Sequence, residues 1–488
     1  MDFLANLVDK INGYITDYCL VFLLIAVGLF FTIRTKFVQV RCFGEGMKNV
    51  FGKIKFNGGK QEGGLSSFQA LATAIAAQVG TGNIVGACGA ILVGGPGAIF
   101  WMWVIAFFGM ATIYAEAVLA QKTRVVNEDG TVSGGPVYYI KHAFNNKFGK
   151  FLAGFFAVAT MLALGFMGTM VQSNSIAGTA TAAMGIDAKF GWIIGLVVAA
   201  LAGVIFLGGV NRLASVTEKI VPVMACLYIL GSLVVIFARI QYIPETFGMI
   251  FKYAFNANAL IGGGIGFALK QAISQGAKRG LFSNEAGMGS TPHAHAQANV
   301  KDPHEQGTTA MIGVFIDTFI VLTMTALVVI STLYAGNGVL GNPATYKLAG
   351  ALNAFPKANL AQMAFGTVFG ETFGNIFVAV CLFFFAFSTI LSWNFFGKIN
   401  FQHLFGKKYT VVYTVLAIGF VFLGSIFQND FVWNLTDFFN NLMVIPNAIA
   451  LITLGIAGMV TGYMAKQCCC KKDCELPADA SDAVSEEE

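Results

Sequence analysis

Charge is what this sequence has least of: 11% of its 488 residues are Asp, Glu, Lys or Arg, while 56% are hydrophobic. Soluble domains carry about 25% charged residues, and a chain this apolar cannot cover itself with polar surface. That excludes a soluble fold and leaves a polytopic membrane protein. Also missing are the roughly ten-residue alternating segments of an outer-membrane barrel; runs such as "FVAVCLFFFAFSTILSW" and "GWIIGLVVAALAGVIFLGG" are continuous. Only helices and closed barrels satisfy their backbone in hydrocarbon, so the spans are α-helices. No Walker loop, HExxH or hydrolase elbow occurs, which argues against ATP-driven pumping, intramembrane proteolysis and enzymatic activity in general. Nothing in the sequence calls for an organic cofactor or a nucleic-acid partner.

Apolar stretches of about 20 residues are long enough to cross a bilayer. Eleven are read here, at about 16–34, 66–94, 97–121, 150–177, 190–209, 217–239, 258–283, 308–334, 369–393, 409–427 and 432–464. The first lacks the basic leader and cleavage site of a signal peptide, so it reads as a retained helix. The 37–65 connection holds Arg41, Lys48, Lys53, Lys55 and Lys60 against Glu45 and Glu62 and belongs in the cytoplasm. With an odd number of spans, this places the N-terminus outside and the C-terminus inside. The last residues, "KQCCCKKDCELPADASDAVSEEE", are too polar to fold alone. Cys468, Cys469 and Cys470 lack a paired CxxC framework, and an ordinary reduced tail is a simpler reading than metal binding or lipidation.

The stretch "AIAAQVGTGNIVGAC", residues 74–88, interrupts a span with Gln78, Gly80, Thr81, Gly82 and Asn83. Opening a helix in hydrocarbon strands backbone amides and carbonyls at several kcal/mol each unless something polar fills the gap. The bland reading is close helix packing through small residues; the functional one is a cargo site at mid-membrane. A partner break is expected at "IGGGIGFALKQAISQGAKRG", where Gly262, Gly263, Gly264 and Gly266 precede Lys270 and Gln271. Leaving out the first span, five helices (65–240) and five helices (241–465) each open on such a break from opposite sides of the membrane. The chain therefore divides into an N-terminal helix with its basic segment (1–64), two inverted five-helix repeats, and a tail (466–488).

"QVGTGNIVG" together with "GAKRGLFSNEAGMGSTPHAHAQA", residues 276–298, resembles the signatures of the alanine or glycine:cation symporter family, also described as sodium:alanine symporters. The likeness extends over nearly the whole chain. It implies an all-α leucine-transporter fold with one extra N-terminal helix and two discontinuous helices. It also implies sodium or proton coupling, with sodium the nearer fit, and import of small neutral amino acids such as alanine and glycine across a bacterial or archaeal plasma membrane. The cation would take backbone oxygens from Ala76 and Val79. Phe385, Ser388 and Thr389, at i, i+3 and i+4 of "FFFAFSTILSWNFFG", would present a carbonyl and two hydroxyls from one helix face. Back-bonding of the two hydroxyls to their own helix is the structural alternative.

For the substrate, amides at the opened helix suit a carboxylate, joined by Gln172 in the third core helix. Phe267 and Trp393 would wall the side chain, with simple packing as the alternative for either, and Gln271 stands beside Lys270 in the same span. Lys270 must face a cavity, snorkel or pair, and could stand in for a second cation by neutralising a carboxylate; Asp317 and Glu116 are gate or proton candidates, and each of the three is more often structural. His293 and His295, with Glu285, His304 and Glu305 nearby in sequence, lack a fixed third ligand for a metal and read as inner-gate residues in a cytoplasmic run. Symport of serine or glutamine, and a channel or sensor on the same scaffold, stay open. A channel calls for a continuous polar stripe, whereas polarity here gathers at two breaks.

Overall fold

The computed structural model describes residues 2–15, 19–52, 64–127, 131–255, 265–341 and 359–461, with the backbone alone for 2–7, 9 and 265–268. The expected break at Gly262, Gly263 and Gly264 and the cysteine tail lie outside these residues. Helices dominate: α1 (Val21–Arg34), α2 (Phe43–Phe51), α3 (Ser67–Gln78), α4 (Gly82–Gly94), α5 (Ala98–Thr123), α6 (Lys147–Met184), α7 (Ala188–Phe206), α8 (Gly209–Ala238), α9 (Ile265–Asn284), α10 (Pro292–His295), α11 (Pro303–Leu333), α12 (Glu371–Phe405), α13 (Lys407–Gly424) and α14 (Asn429–Ile456). Among the described residues the β-structure is a two-stranded ribbon, Val125–Val126 against Val132–Ser133, and one isolated bridge, Leu65 to Ala298.

Among the described residues eight helices are long and apolar enough to cross a membrane, or nine with the α3/α4 pair, whose halves bend by 44°. Two of the eleven spans read from the sequence do not reach that measure. α1 has 14 helical residues, and α9 carries Lys270, Gln271, Gln275, Lys278 and Arg279 in its 20. Polar groups spaced along one helix need protein, not lipid, around them. α9 accordingly packs against α4 and α5, where a Cβ on Gly276 would meet Trp101 Cβ at 2.5 Å and one on Gly94 would meet Gln275 Cβ at 3.1 Å.

Local chemistry sets the ends of the broken helix. Ser66 caps α3 in a capping box, its hydroxyl accepting from Gln69 N while the Gln69 side chain accepts from Ser66 N, so two otherwise unpaired amides are satisfied. α3 then stops at Val79, whose backbone leaves the helical region. Chain direction is regained through Gly82–Gly86, a π-helical turn, the wide-turn geometry often found at functional sites.

Candidate functional site

Every residue from 70 to 92 is buried, so the interruption at 79–81 lies inside protein on all sides. Its backbone amides are taken by side chains instead of helix carbonyls: Gly80 N donates to Asn83 Oδ1 (3.0 Å) and Thr81 N to Gln172 Oε1 (3.1 Å) on α6. Asn83 Nδ2 donates onward to Asp317 Oδ1 (2.6 Å) and to Asp317 O (3.1 Å). Gln78 Nε2 donates to Asn284 O (2.8 Å), the last carbonyl of α9.

A second opening follows α9, at residues 285–291, a position not expected from the sequence. Gly266 is helical, within α9, so that part of the run is no break. Glu285 adopts a left-handed backbone (φ 57), followed by Gly287 (φ 87) and Gly289 (φ 80). Such φ values cost a side-chain-bearing residue free energy unless its surroundings hold it. Here the Glu285 carboxylate accepts from Ser290 Oγ and from Trp393 Nε1. The Glu116 carboxylate on α5 accepts from Gly287 N (3.1 Å), Gly289 N (3.1 Å) and Asn447 Nδ2 (2.6 Å). Tyr139 hydroxyl donates to Asn447 Oδ1. The second opening is thus clamped from α5, α12 and α14.

Asp317 joins the two openings. It sits in a π-helical turn of α11, Phe315–Leu322, and is fully buried. Besides Asn83, its oxygens accept from Ser283 Oγ (3.0 and 3.1 Å) and Thr318 Oγ1 (2.8 Å). Sequence reading weighed Asp317 and Glu116 as gate groups but had no signal for these partners, which lie on other helices.

The residues read as cation ligands come together. Thr389 Oγ1 has three carbonyls within reach of its one proton, Ala76 O (2.9 Å), Phe385 O (3.0 Å) and Ala77 O (3.4 Å), and Ser388 Oγ donates to Phe385 O (2.9 Å). Val79 caps the same turn of α3. The cluster is made of neutral oxygens, carbonyl and hydroxyl, which suit a hard cation. The hydroxyls do back-bond to their own helix, and Thr389 also bridges to α3.

Among the substrate candidates, Gln78, Gly80, Thr81, Gly82, Asn83 and Gln172 meet at the first opening. Gln78 Oε1, Thr81 Oγ1 and Gln172 Nε2 are buried with no hydrogen-bond partner among the described residues. Trp393 is buried against the second opening, edge-on to Phe282 (5.6 Å between centroids). Phe267 and Gln271 are not brought in: they precede Ser283 by 16 and 12 residues on one helix, about 24 and 18 Å along its axis. The Phe267 side chain lies outside the described residues.

Within the run 276–298 every residue from 279 to 298 is buried in the protein. Arg279 makes a two-pronged pair with Asp437 on α14 (both 3.2 Å) and lies 4.4 Å over the Trp433 ring, with Lys278 Nζ 2.7 Å from the same carboxylate. That pair was not anticipated from sequence. His293 Nδ1 donates to Ser290 O (2.7 Å) and its Nε2 accepts from Asn400 Nδ2 (2.9 Å). His295 Nδ1 accepts from Gln306 Nε2 (2.8 Å).

Burial pushes the His293 pKa down to about 4 and that of His295 to about 3, so both are neutral at pH 7. Unfolding returns them to an ordinary value of about 6.5. Between pH about 6.5 and about 4 the unfolded chain then binds more protons, and stability falls as pH drops, by about 1.4 kcal/mol per unit for each histidine. Thermal unfolding in detergent should be level above pH about 7 and fall below about 6.5. A melting temperature that rises toward pH 5 would contradict this assignment.

A model of the sodium:alanine symporter family matches residues 1–473. The chain is 40% identical to "Sodium/alanine symporter AgcS" of Methanococcus maripaludis over 93% of its own length and 95% of that protein's. It is 36% identical to "Probable sodium/glutamine symporter GlnT" of Bacillus subtilis over 92% and 88%. Among solved structures, MhsT in complex with L-phenylalanine superposes with a TM-score of 0.55 over 80% of this chain and 89% of that one, at 14% identity, a likeness of fold alone. With its two openings packed around an oxygen-rich centre and a family match over almost its full length, the chain belongs to the sodium:alanine symporter family and is an amino-acid symporter coupled to sodium.

Proposed function

We propose that the protein imports small neutral amino acids, alanine or glycine, by alternating access, with one sodium ion held at Ala76, Val79, Phe385, Ser388 and Thr389. The observation that carries this reading is the group of unpartnered buried polar atoms at the first opening. A buried donor or acceptor without a partner costs about 1–3 kcal/mol, and a zwitterion supplies the missing partners. Gln172 Nε2 and Thr81 Oγ1 suit its carboxylate, and Gln78 Oε1 suits its ammonium group. Gly80 and Gly82 let the backbone come close enough to make a small site, which favours hydrogen or methyl as the side chain.

On this reading α3–α8 and α9–α14 are the two inverted repeats, each opening on an interrupted helix, with α1 as the additional one. That restores eleven spans and places the N-terminus outside. The cavity of about 730 Å³ lined by Gly64, Val132, Gln402 and Lys407 is then the cytoplasmic vestibule. The smaller one, about 190 Å³ beside Val93, Lys278, Arg279 and Asn434, is the outer one, shut off by the Arg279–Asp437 pair.

One sodium ion entering at about −100 mV down a tenfold gradient carries roughly 3.7 kcal/mol, enough for about 500-fold accumulation of a neutral solute. Proteoliposomes loaded with labelled alanine outside should concentrate it only with inward sodium. Equilibration without accumulation would point to a channel, and competition by serine or glutamine at equal concentration would move the substrate assignment.

The ion assignment has its own test. Thr389→Val keeps the shape and removes the oxygen that now reaches Ala76 and Phe385. The sodium concentration for half-maximal uptake should rise about tenfold, which corresponds to about 1.4 kcal/mol, with the maximal rate largely kept. An unchanged sodium dependence at saturating alanine would remove Thr389 from the ion site.

A further inference from the structure

We propose that Cys42, Glu45 and His304 form a binding site for a divalent transition metal of the zinc type, joining α2 to the start of α11. The sodium assignment uses none of these residues. Sequence alone pairs His304 with Glu305 and the other histidines, whereas the fold brings it to a segment some 260 positions earlier. Each of the three offers one ligand atom, and those atoms all lie within 4.8 Å of one another. Cys42 immediately precedes α2 and Glu45 lies in its first turn, three residues on and so on the same face.

The geometry is already near that of a bound ion. His304 Nε2 is 3.4 Å from Glu45 Oε2. Two ligands at about 2.0–2.2 Å from one tetrahedral ion are about 3.4 Å apart. His304 is 2% exposed, and its other nitrogen, Nδ1, is 2.7 Å from the Tyr114 hydroxyl. With Nδ1–H donated to that oxygen, the Nε2 lone pair faces the carboxylate and the thiol. Metal-binding histidines are held by this kind of outer partner. The Glu45 side chain is 46% exposed, which leaves a route for the ion and room for water as the fourth ligand.

The donor set selects the ion. Thiolate, imidazole and carboxylate together favour Zn²⁺ over sodium, magnesium or calcium, which prefer all-oxygen sites. Two anionic ligands offset the charge of a dication, with Arg41 adjacent in sequence as a further cation. A tie between α2 and α11 would restrain the helix that carries Asp317, so metal should stabilise the protein and slow uptake.

The test uses the full-length protein in detergent, stripped with a chelator. Because the tail offers competing thiols, it is also made with Cys468→Ser, Cys469→Ser, Cys470→Ser and Cys474→Ser together. Titration with Co²⁺ should give one ion per chain and a thiolate-to-cobalt charge-transfer band, both retained in the tail variant. Cys42→Ser should abolish the band and weaken Zn²⁺ binding at least tenfold, while metal-free sodium-driven uptake stays at the parent level. Glu45→Gln should weaken Zn²⁺ binding but keep the band. Tyr114→Phe should also keep the band and lose about 10–100-fold in affinity, the usual effect of removing an outer partner. A band that survives Cys42→Ser, disappears with the tail cysteines, or never forms overturns the site. So does Zn²⁺ affinity unchanged in both Cys42→Ser and Glu45→Gln, which would leave His304 and Glu45 as a plain ion pair.

Discussion

Gly80→Ala should reduce uptake about a thousandfold, a loss of about 4 kcal/mol in the transport step, while the protein still reaches the membrane. A Cβ there would sit 2.4 Å from Thr389 Oγ1 and 3.2 Å from Gln172 Oε1. Neither neighbour can yield cheaply. Thr389 Oγ1 is bound to Ala76 O and Phe385 O, and Gln172 Oε1 holds Thr81 N. One methyl group therefore breaks the bridge from α12 to α3 or pushes the opening away from α6. The oxygens proposed for the ion and the Gln172 and Thr81 groups proposed for the substrate are displaced together.

The control lies six residues on. A Cβ on Gly86 would meet nothing nearer than Thr81 O at 3.8 Å, ordinary van der Waals contact, so Gly86→Ala should transport within about threefold of the parent, under 1 kcal/mol. Gly82→Leu is a poorer probe, because a Cβ there already meets the Ser283 backbone at 3.0 Å and its loss of uptake would report packing as much as binding. Uptake by Gly80→Ala equal to that of Gly86→Ala would show that the first opening is not the transport site.

What was legible in the sequence was the local chemistry. The interruption at Gly80 to Asn83 announces itself because polar residues and glycines stand inside an otherwise apolar span, and Phe385, Ser388 and Thr389 fall on one face by helical spacing alone. The second opening was missed for a physical reason. Gly266, at the end of the glycine run, is helical: a glycine says only that a backbone is free to bend, not that anything holds it open. The opening at 285–291 is held by Glu116, Trp393 and Asn447, from helices distant in sequence. Burial was not legible either: Ser283, Asn284, Glu285, His293 and His295 look like loop residues until each is seen to have a partner on a neighbouring helix. Trp393 shows the same limit: its place on the helix could be read, but the bond from its indole N–H to Glu285 could not.

Asp317 is where the two openings depend on one side chain, and Asp317→Ala should abolish uptake. The substitution strands Ser283 Oγ and Thr318 Oγ1, both buried, and leaves Asn83 Nδ2 only the backbone carbonyl of residue 317. At about 1–3 kcal/mol for each donor left without an acceptor, the arrangement that puts α3/α4, α9 and α11 in register is the first thing lost. Asp317→Asn separates geometry from charge. Its carbonyl oxygen still accepts from Asn83, and its amide donates to Ser283 or Thr318, whose hydroxyls accept as readily as they donate. If Asp317 acts as a latch through hydrogen bonds, the asparagine variant keeps uptake within about tenfold, about 1.4 kcal/mol, with a melting temperature near that of the parent. Uptake as low as in Asp317→Ala, from a protein of parental stability, would instead assign the carboxylate charge to the transport cycle. A fully active Asp317→Ala would mean that the two openings are held in register by the Gln78–Asn284 contact and helix packing alone.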